Sequence, residues 1–540
     1  MKKIKIISCC LMLLFGLIAQ LQQVSAQSKI STVKVSLQKR LPSEIEQGAY
    51  YIANEIQEWN PAETAIIICD MWDQHWCKGA AGRVTEMAPS MNSVISIARE
   101  KGILIVHAPS QCMAFYKNHP ARKLGKKYKS KKAQRLINGD KLESEKDAAW
   151  PVDQSDGGCD DSPECKQGPP WPWTRHIDLI NVFDKDAISD SGAEIGGLFY
   201  HKGIRNVILM GVHTNMCVIG RSFGLRNMVR LGMNVVLMRD MTDTMYDSKQ
   251  FPEVNHFTGN SLMNKYIETY VCPTIVSTDI TGKKQFRFKD DTRAVVAFLI
   301  AESEYNSNLT LPAFAHELLL TKGINCEFAI GLPTAEGDNR HNIENLQILE
   351  DADLAVIFVR RRGLEPEKMD IIRNYIKRGK PVLGLRTASH AFDPRIKPEI
   401  SSAFISELAE WPEFDKEILG GNYNNHLGNK LVVEISVVPG MESHPILRDV
   451  SFKDFHNTFG LYKNQNLQSE KIQVLLFGTV EGQPSQPILW TNNTGRNNVV
   501  YTSLGSRYDW QNKSFRQIMK NSVCYLLNLS LFPTEKGKCN

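Results

Sequence analysis

Cys217 stands in the stretch Gly211-Val212-His213-Thr214-Asn215-Met216-Cys217-Val218-Ile219-Gly220-Arg221. The uncharged run over residues 206–210, rich in Val, Ile and Leu, leads into it and reads as a buried strand. Beyond it Val218, Phe223, Leu225, Met228 and Val229 recur at roughly helical spacing, and Gly232 reads as the stop. The cysteine is therefore expected at a strand-to-helix turn, where unpaired N–H groups and the helix dipole favour a thiolate. Taken alone, a cysteine is more often a buried structural residue than a nucleophile, so the chemistry depends on what is brought to it. A thiol nucleophile needs a group to take and return its proton, and a cation to favour the thiolate and hold that group in place. Asp70 suits the first role and Lys185 the second. Asp70 ends the apolar run 64–69, Lys185 follows the run 179–183, and Cys217 follows a third.

These residues need a frame. The run 64–73, a helix with Met87, Met91, Val94, Ile95 and Ala98 on one side, and the run 103–107 make a βαβ opening, which predicts a parallel sheet covered by helices. Residues 27–61 read as a polar lead-in with little periodicity. From about 109 to 175 the pattern stops in a long insertion, first basic, then acidic. Trp150, Trp171 and Trp173 argue against disorder there, and a lid over the carboxyl edge of the sheet is expected. Strand–helix alternation resumes to about residue 281. Ligands of such sheets collect at the carboxyl ends of the strands, which is where Asp70, Lys185 and Cys217 are expected.

The order of an Asp after the first strand, a Lys ahead of a helix, then Gly211-Val212-x-Thr214-x-x-Cys217 resembles the isochorismatase-like cysteine hydrolase family over about residues 62–281. The resemblance implies a triad of Asp70, Lys185 and Cys217. It also implies a non-proline cis peptide near Val212-His213 and an oxyanion site made by the backbone at His213 and Cys217. Trp72, His75, Trp76, His107 and Asn215 are expected around the substrate. Where the family has D-x-Q, this chain has Asp70-Met71-Trp72, and its usual aromatic after the lysine is Asp190. The metal-binding form carries further histidines, whereas this chain has His107-Ala108-Pro109-Ser110-Gln111 and an isolated His119. No metal or other cofactor is therefore expected at the triad.

After a polar linker, KKQFRFKDDTR, the rhythm restarts. Gly379-Lys380-Pro381-Val382-Leu383-Gly384-Leu385, His444-Pro445-Ile446, Pro487-Ile488-Leu489-Trp490 with Gly495-Arg496, and Val500-Tyr501-Thr502-Ser503-Leu504-Gly505 resemble the trehalose-utilisation (ThuA-like) family, over about residues 293–532. That family has the fold of class I glutamine amidotransferases. The elbow where an amidotransferase places its cysteine reads Arg386-Thr387-Ala388-Ser389-His390, so thiol chemistry is not expected there. Arg386, His390 and Trp490 are expected near a ligand pocket, and Ser389 and His390, being adjacent, are not expected to face each other. The fold class implied for the whole is α/β, two three-layer α/β/α domains with mainly parallel sheets.

Composition narrows the partners. A net charge of +5 over 540 residues gives no reason to expect nucleic acid, and the basic run 121–135 is followed by acidic residues 160–164, as in a solvated loop. Residues 1–26 read as an export leader: Lys2, Lys3 and Lys5, an apolar run over 6–18, and the small-residue site Val24-Ser25-Ala26. No later stretch is long and apolar enough to span a bilayer. In an oxidising compartment Cys159 and Cys165, which flank a polar loop, are expected to pair. A metal knuckle there would need two more ligands, and His176 stands alone. The function expected is an exported, homo-oligomeric hydrolase of a small amide, ureide or carbamoyl compound. The alternative is a two-domain binder of a small ligand or carbohydrate without catalysis.

Overall fold

The computed structural model describes residues 32–331, 341–394, 408–453, 455–457, 459–464, 466–467 and 470–530. The leader expected over residues 1–26 lies outside them. In the first half, eight strands form one sheet: β1 (Val33–Pro42), β2 (Tyr50–Trp59), β3 (Thr64–Cys69), β4 (Leu104–Ala108), β5 (Ala187–Ile188), β6 (Asn206–Val212), β7 (Asn234–Asp243) and β8 (Thr274–Ile275). Their order is β2-β1-β8-β7-β6-β3-β4-β5. The strands from β8 to β5 are mutually parallel, and β1 joins β8 and β2 antiparallel.

Interior strands of a sheet covered on both faces must be apolar throughout. Every residue of β3 is buried, and its side chains alternate between two cores. Ile66 and Ile68 pack with Met87, Met91 and Val94 of the helix Lys78–Glu100. Ala65, Ile67 and Cys69 pack with Leu198 and Phe199 of the helix Gly192–Lys202 on the other face. That alternation makes the three layers. The chain runs from β3 outward through β4 and β5, then returns to the other side of β3 as β6. The sheet therefore changes direction between β3 and β6, where the ends of adjacent strands leave a crevice.

The lead-in 27–61 contains structure that its polarity hid. β1 and β2 are a ten-residue antiparallel pair with Val33 opposite Trp59 and Pro42 opposite Tyr50. Val33, Val35 and Leu37 enter the first core, whereas Ile52 of β2 enters a core of the second half.

The second half holds β9 (Val295–Ala301), β10 (Asn325–Gly331), β11 (Ile343–Glu344), β12 (Leu354–Val359), β13 (Val382–Leu385), β14 (Asn425–His426), β15 (Val433–Val437), β16 (His456–Asn457), β17 (Tyr462–Lys463), β18 (Ile472–Thr479), β19 (Gln486–Asn493) and β20 (Asn498–Thr502). Ten of these make a sheet in the order β11-β10-β9-β12-β13-β20-β19-β18-β15-β16, and β14 pairs with β17. Val296, Phe298 and Ile300 of β9 face one core, and Ala297, Leu299 and Ala301 face the other. The two halves are thus two helix-flanked α/β sheets, as expected. Among the described residues no helix is long and apolar enough to cross a membrane.

Candidate active site

Asp70 leaves the end of β3 with φ of 46°, and its side chain is fully buried. One carboxylate oxygen accepts the Ser110 N–H at 2.6 Å. The other accepts no hydrogen bond but lies 3.6 Å from Arg221 Nε. β6 closes on this point because Gly211, opposite Cys69, has φ of 113°. A Cβ there would stand 2.0 Å from the Cys69 carbonyl oxygen, so only glycine lets the two strand ends approach this closely. The Val212–His213 peptide is cis, as the resemblance implies.

The continuous helix expected from Cys217 onward is not formed. A single π-helical turn, Thr214–Val218, carries the cysteine, and the helix Leu225–Arg230 starts only after Gly224. Dipole support for a thiolate is correspondingly small. The half-buried Cys217 thiol interacts with the Asp70 carboxyl and the Arg221 guanidinium. Burial pushes the thiol up, the Asp70 charge pushes it further, and Arg221 opposes both. Burial likewise raises Asp70, against Arg221, the Ser110 N–H and Cys217. Both shifts run toward the protonated form: the surroundings disfavour a thiolate at Cys217 and let the Asp70 carboxyl hold a proton more readily than usual. Such a pair can pass a proton from sulfur to oxygen when a reacting carbon arrives.

Lys185 is not brought to this pair. It is exposed, and among the described residues no ion pair or hydrogen bond links it to Asp70 or Cys217. Its neighbour Asp186 turns inward instead, accepting from Arg99 at 2.8 and 3.1 Å and meeting His107 Nε2 at 3.1 Å. The cation at the site is Arg221, held by its own N–H to the Cys217 carbonyl at 3.0 Å. It stands four residues after Cys217, one helical turn along, and that spacing could have identified it.

The expected substrate residues divide. Trp72 stacks on Trp173 of the insertion, with centroids 4.2 Å apart and planes at 7°. Trp171 stacks on Trp173 in turn, and His75 flanks it at 5.7 Å. Cys217 packs against the cluster holding Trp72 and Trp173, so the insertion does supply an aromatic wall beside the thiol. The Asp73 carboxylate clasps that wall, accepting from Thr174 N at 2.8 Å and Thr174 Oγ1 at 2.6 Å. His213 is buried, with its ring edge-on to His75 at 5.0 Å, and burial holds it well below the usual histidine value. Trp76 packs against a cluster of Cys77, Cys159 and Met245, with its ring 5.3 Å from that of His75.

Two residues are structural. His107 is wholly buried, and burial keeps it neutral against the pull of Asp186. Asn215 spends its amide on Gln154, on the Met245 carbonyl at 2.8 Å and on the Met245 N–H at 3.0 Å. It fastens the turn to the insertion. Cys159 and Cys165 do not form the expected disulfide; both thiols are free and meet the Asp161 carboxylate between them in sequence. A polar cleft between the halves, lined in part by Arg40, Arg239, Lys265, Glu268 and Arg293, takes no residue of the Asp70–Cys217 pair.

In the second half Arg386 occupies the elbow after β13 with φ of 42°. It is buried, donates to the Ser503 carbonyl at 2.7 Å, and lies over the rings of Tyr305 and Tyr462 at 4.3 and 4.7 Å. Ser389 Oγ and His390 Nδ1 do meet, at 3.1 Å, because both sit on one tight 3₁₀ turn. Trp490, expected near a pocket, is core: it is fully buried and donates to the Leu419 carbonyl.

A profile of the ThuA family, described as Trehalose utilisation, matches residues 331–526. A comparison with curated protein sequences returned no match. Among solved structures, a ThuA-like protein from Parabacteroides merdae ATCC 43184 is similar at 13% identity and a TM-score of 0.33, over 44% of this chain and 91% of that one. A cysteine hydrolase from Pseudomonas syringae pv. phaseolicola 1448A is similar at 14% identity and a TM-score of 0.26, over 41% of this chain and 92% of that one. The C-terminal region of the chain is thus ThuA-like, and the first half brings cysteine and aspartate side chains together in an arrangement able to run thiol chemistry.

Proposed function

We propose that the first half is a cysteine-dependent hydrolase of small amide, ureide or carbamoyl C–N bonds. The observation that carries this reading is the meeting of the Cys217 thiol, the buried Asp70 carboxylate and Arg221 where the sheet changes direction. Asp70 takes the thiol proton as sulfur bonds to the carbonyl carbon. The oxygen's negative charge is held by backbone N–H groups at His213 and Cys217, each such donor being worth about 3 kcal/mol. As the C–N bond breaks, Asp70 returns the proton to the departing nitrogen, which leaves as ammonia or an amine. Water then attacks the thioester, Asp70 takes its proton, and the acid leaves as the thiol re-forms. Arg221 balances the charge that moves between sulfur and carboxylate. Export belongs to the same reading and rests on the charged, apolar, small-residue order of residues 1–26; retention of the full chain in the host cytoplasm would remove it. Homo-oligomerisation is tested by light scattering of the purified chain.

The test is ammonia release from a panel of amides, ureides and carbamoyl compounds, with Cys217→Ala beside the parent. Activity lost in the variant supports the reading, and full turnover by it sinks the reading. One observation favours the alternative of a small-ligand binder, namely that the surroundings push the Cys217 thiol up. Iodoacetamide separates the two. The enzyme reading expects Cys217 alkylation at neutral pH, with Asp70 taking the thiol proton as sulfur reacts. The binder reading expects none until the pH exceeds the ordinary thiol value, about 8.5.

A further inference from the structure

Away from the Asp70–Cys217 pair, three thiols converge on one carboxylate. Cys77 Sγ lies 3.4 Å from Asp161 Oδ2, Cys159 Sγ 3.5 Å from it, and Cys165 Sγ 3.0 Å from it. Ligand atoms of Cys77, Cys159 and Asp161 all lie within 4.8 Å of one another. In tetrahedral zinc sites, sulfur and oxygen ligands stand roughly 3.5–3.8 Å apart, as bond lengths near 2.3 and 2.0 Å require. Cys77, Cys159 and Asp161 need close by only about 1 Å to reach that spacing, and Cys165, whose thiol meets Asp161 from outside that group, swings in to complete it. Cys77 and Cys159 are buried while Cys165 is partly exposed, which gives an ion a way in.

We propose that Cys77, Cys159, Cys165 and Asp161 bind one zinc-class cation, a closed four-ligand site that pins the insertion to the start of the helix Lys78–Glu100. The loop 159–165 supplies three ligands and the residue capping the helix supplies the fourth, completing the set that the loop alone lacks. Three thiolates select a soft or borderline ion such as Zn²⁺ over Mg²⁺ or Ca²⁺. Binding releases the thiol protons and leaves a net double negative charge, which the surroundings are arranged to offset. The N–H groups of Lys78 and Gly79 donate to Asp161 at 2.8 and 3.0 Å, and the Ala80 N–H donates to Cys77 Sγ at 3.4 Å. These are the helix's otherwise unpaired first donors, at the positive end of its dipole. They orient the ligands as outer partners do in metal sites. Gly79 leaves these carboxylates room, since a Cβ there would crowd Asp160 Oδ1 at 2.9 Å and Asp161 Oδ1 at 3.1 Å. With every ligand from the protein, the ion's role is structural. Trp76 and Met216, neighbours of the aromatic wall and of Cys217, pack against this cluster, so the ion would steady one flank of the candidate active site without taking part in its chemistry. The proposal does not depend on the hydrolase reading.

The test uses the full chain, purified with its thiols reduced and dialysed against Zn²⁺, then against buffer. Elemental analysis should find about one zinc per chain, the stoichiometry of a single structural site. Retention should fall at least tenfold in Cys77→Ser and Cys159→Ser and stay unchanged in Cys272→Ser. Because a variant may be lost to misfolding, native thiol titration of the parent with a disulfide reagent gives a second readout. Zinc should slow the reaction of Cys77, Cys159 and Cys165, identified by peptide mapping, and a chelator should restore it. Failure to retain zinc with these thiols reduced, or equal thiol reactivity with and without zinc, overturns the proposal. So does a Cys159–Cys165 disulfide in the protein as its host makes it.

Discussion

A thiol pressed against a carboxylate inside a protein is a poor thiolate, and for the proposed hydrolase that shapes how Cys217 would act. Burial and the Asp70 charge both favour the protonated sulfur, so the proposed mechanism forms the nucleophile as its proton moves to Asp70. Among the described residues, Arg221 is the cation that acts on both groups. Arg221→Met should lower kcat/KM by about a hundredfold, within the usual range for a charge that assists proton transfer, while Lys185→Met should stay within about twofold of the parent. Steady-state kinetics on the best amide of the panel decides this, and the reverse ranking would return the role to Lys185. The pH dependence follows from Asp70. Its carboxyl is raised by burial, and it must be ionised to take the proton. Activity should therefore rise with pH through a midpoint above the ordinary carboxylate value of about 4 and be lost as pH falls through it. A kcat/KM profile flat down to the ordinary value would contradict this. Asp70 and Cys217 were legible because each ends an apolar run. Lys185 stands at the right spacing, yet it lies on the turn just before β5, and there Asp186 takes the inward direction.

At the scale of elements, the site depends on how closely β6 can end beside β3. Gly211 sets that distance, both by its left-handed φ and by the lack of a Cβ against Cys69. Gly211→Ala should lower stability by about 1–3 kcal/mol from backbone strain, with more added by the displaced strand end. Denaturant unfolding should show the loss, and ammonia release should fall with it as Asp70 and Cys217 move apart. Unchanged stability would mean the strand ends can part freely. The strands carrying the site were readable because buried parallel strands are apolar on both sides. The break after Cys217 was not, although Gly220 and Gly224 mark it, because the apolar spacing continues across them. The β1–β2 pair was missed although Val33, Val35 and Leu37 alternate with Lys34, Ser36 and Gln38. That two-residue period is what a half-buried strand shows, and the polar residues that follow mask it.

The whole molecule is joined by that same hairpin. Leu37 of β1 belongs to the first core, and Ile52 of β2 to a core of the second half. Arg40 pairs with Glu268 at 3.1 Å and lies 5.9 Å from the ring of Phe328, while Arg239 reaches Glu327 at 3.3 Å across the junction. Ile52→Ala should cost about 2–5 kcal/mol, as removal of a buried isoleucine does, and should loosen the halves from each other. Calorimetry should then resolve two transitions closer to independence than in the parent, while a single unshifted transition would show that Ile52 joins nothing. Two α/β halves were evident from periodicity. Their junction was not, because a lone isoleucine in a half-exposed strand shows its partner only in three dimensions.

The central claim, that Cys217 forms the covalent bond, is tested most directly by trapping. The full chain is quenched in acid during turnover of the best amide, and its peptides are read by mass. The expected result is an acyl group on the peptide carrying Cys217, absent in Cys217→Ser and in Asp70→Asn, which cannot take the thiol proton. An acyl group on any other residue, or undiminished ammonia release by Cys217→Ser, would contradict it.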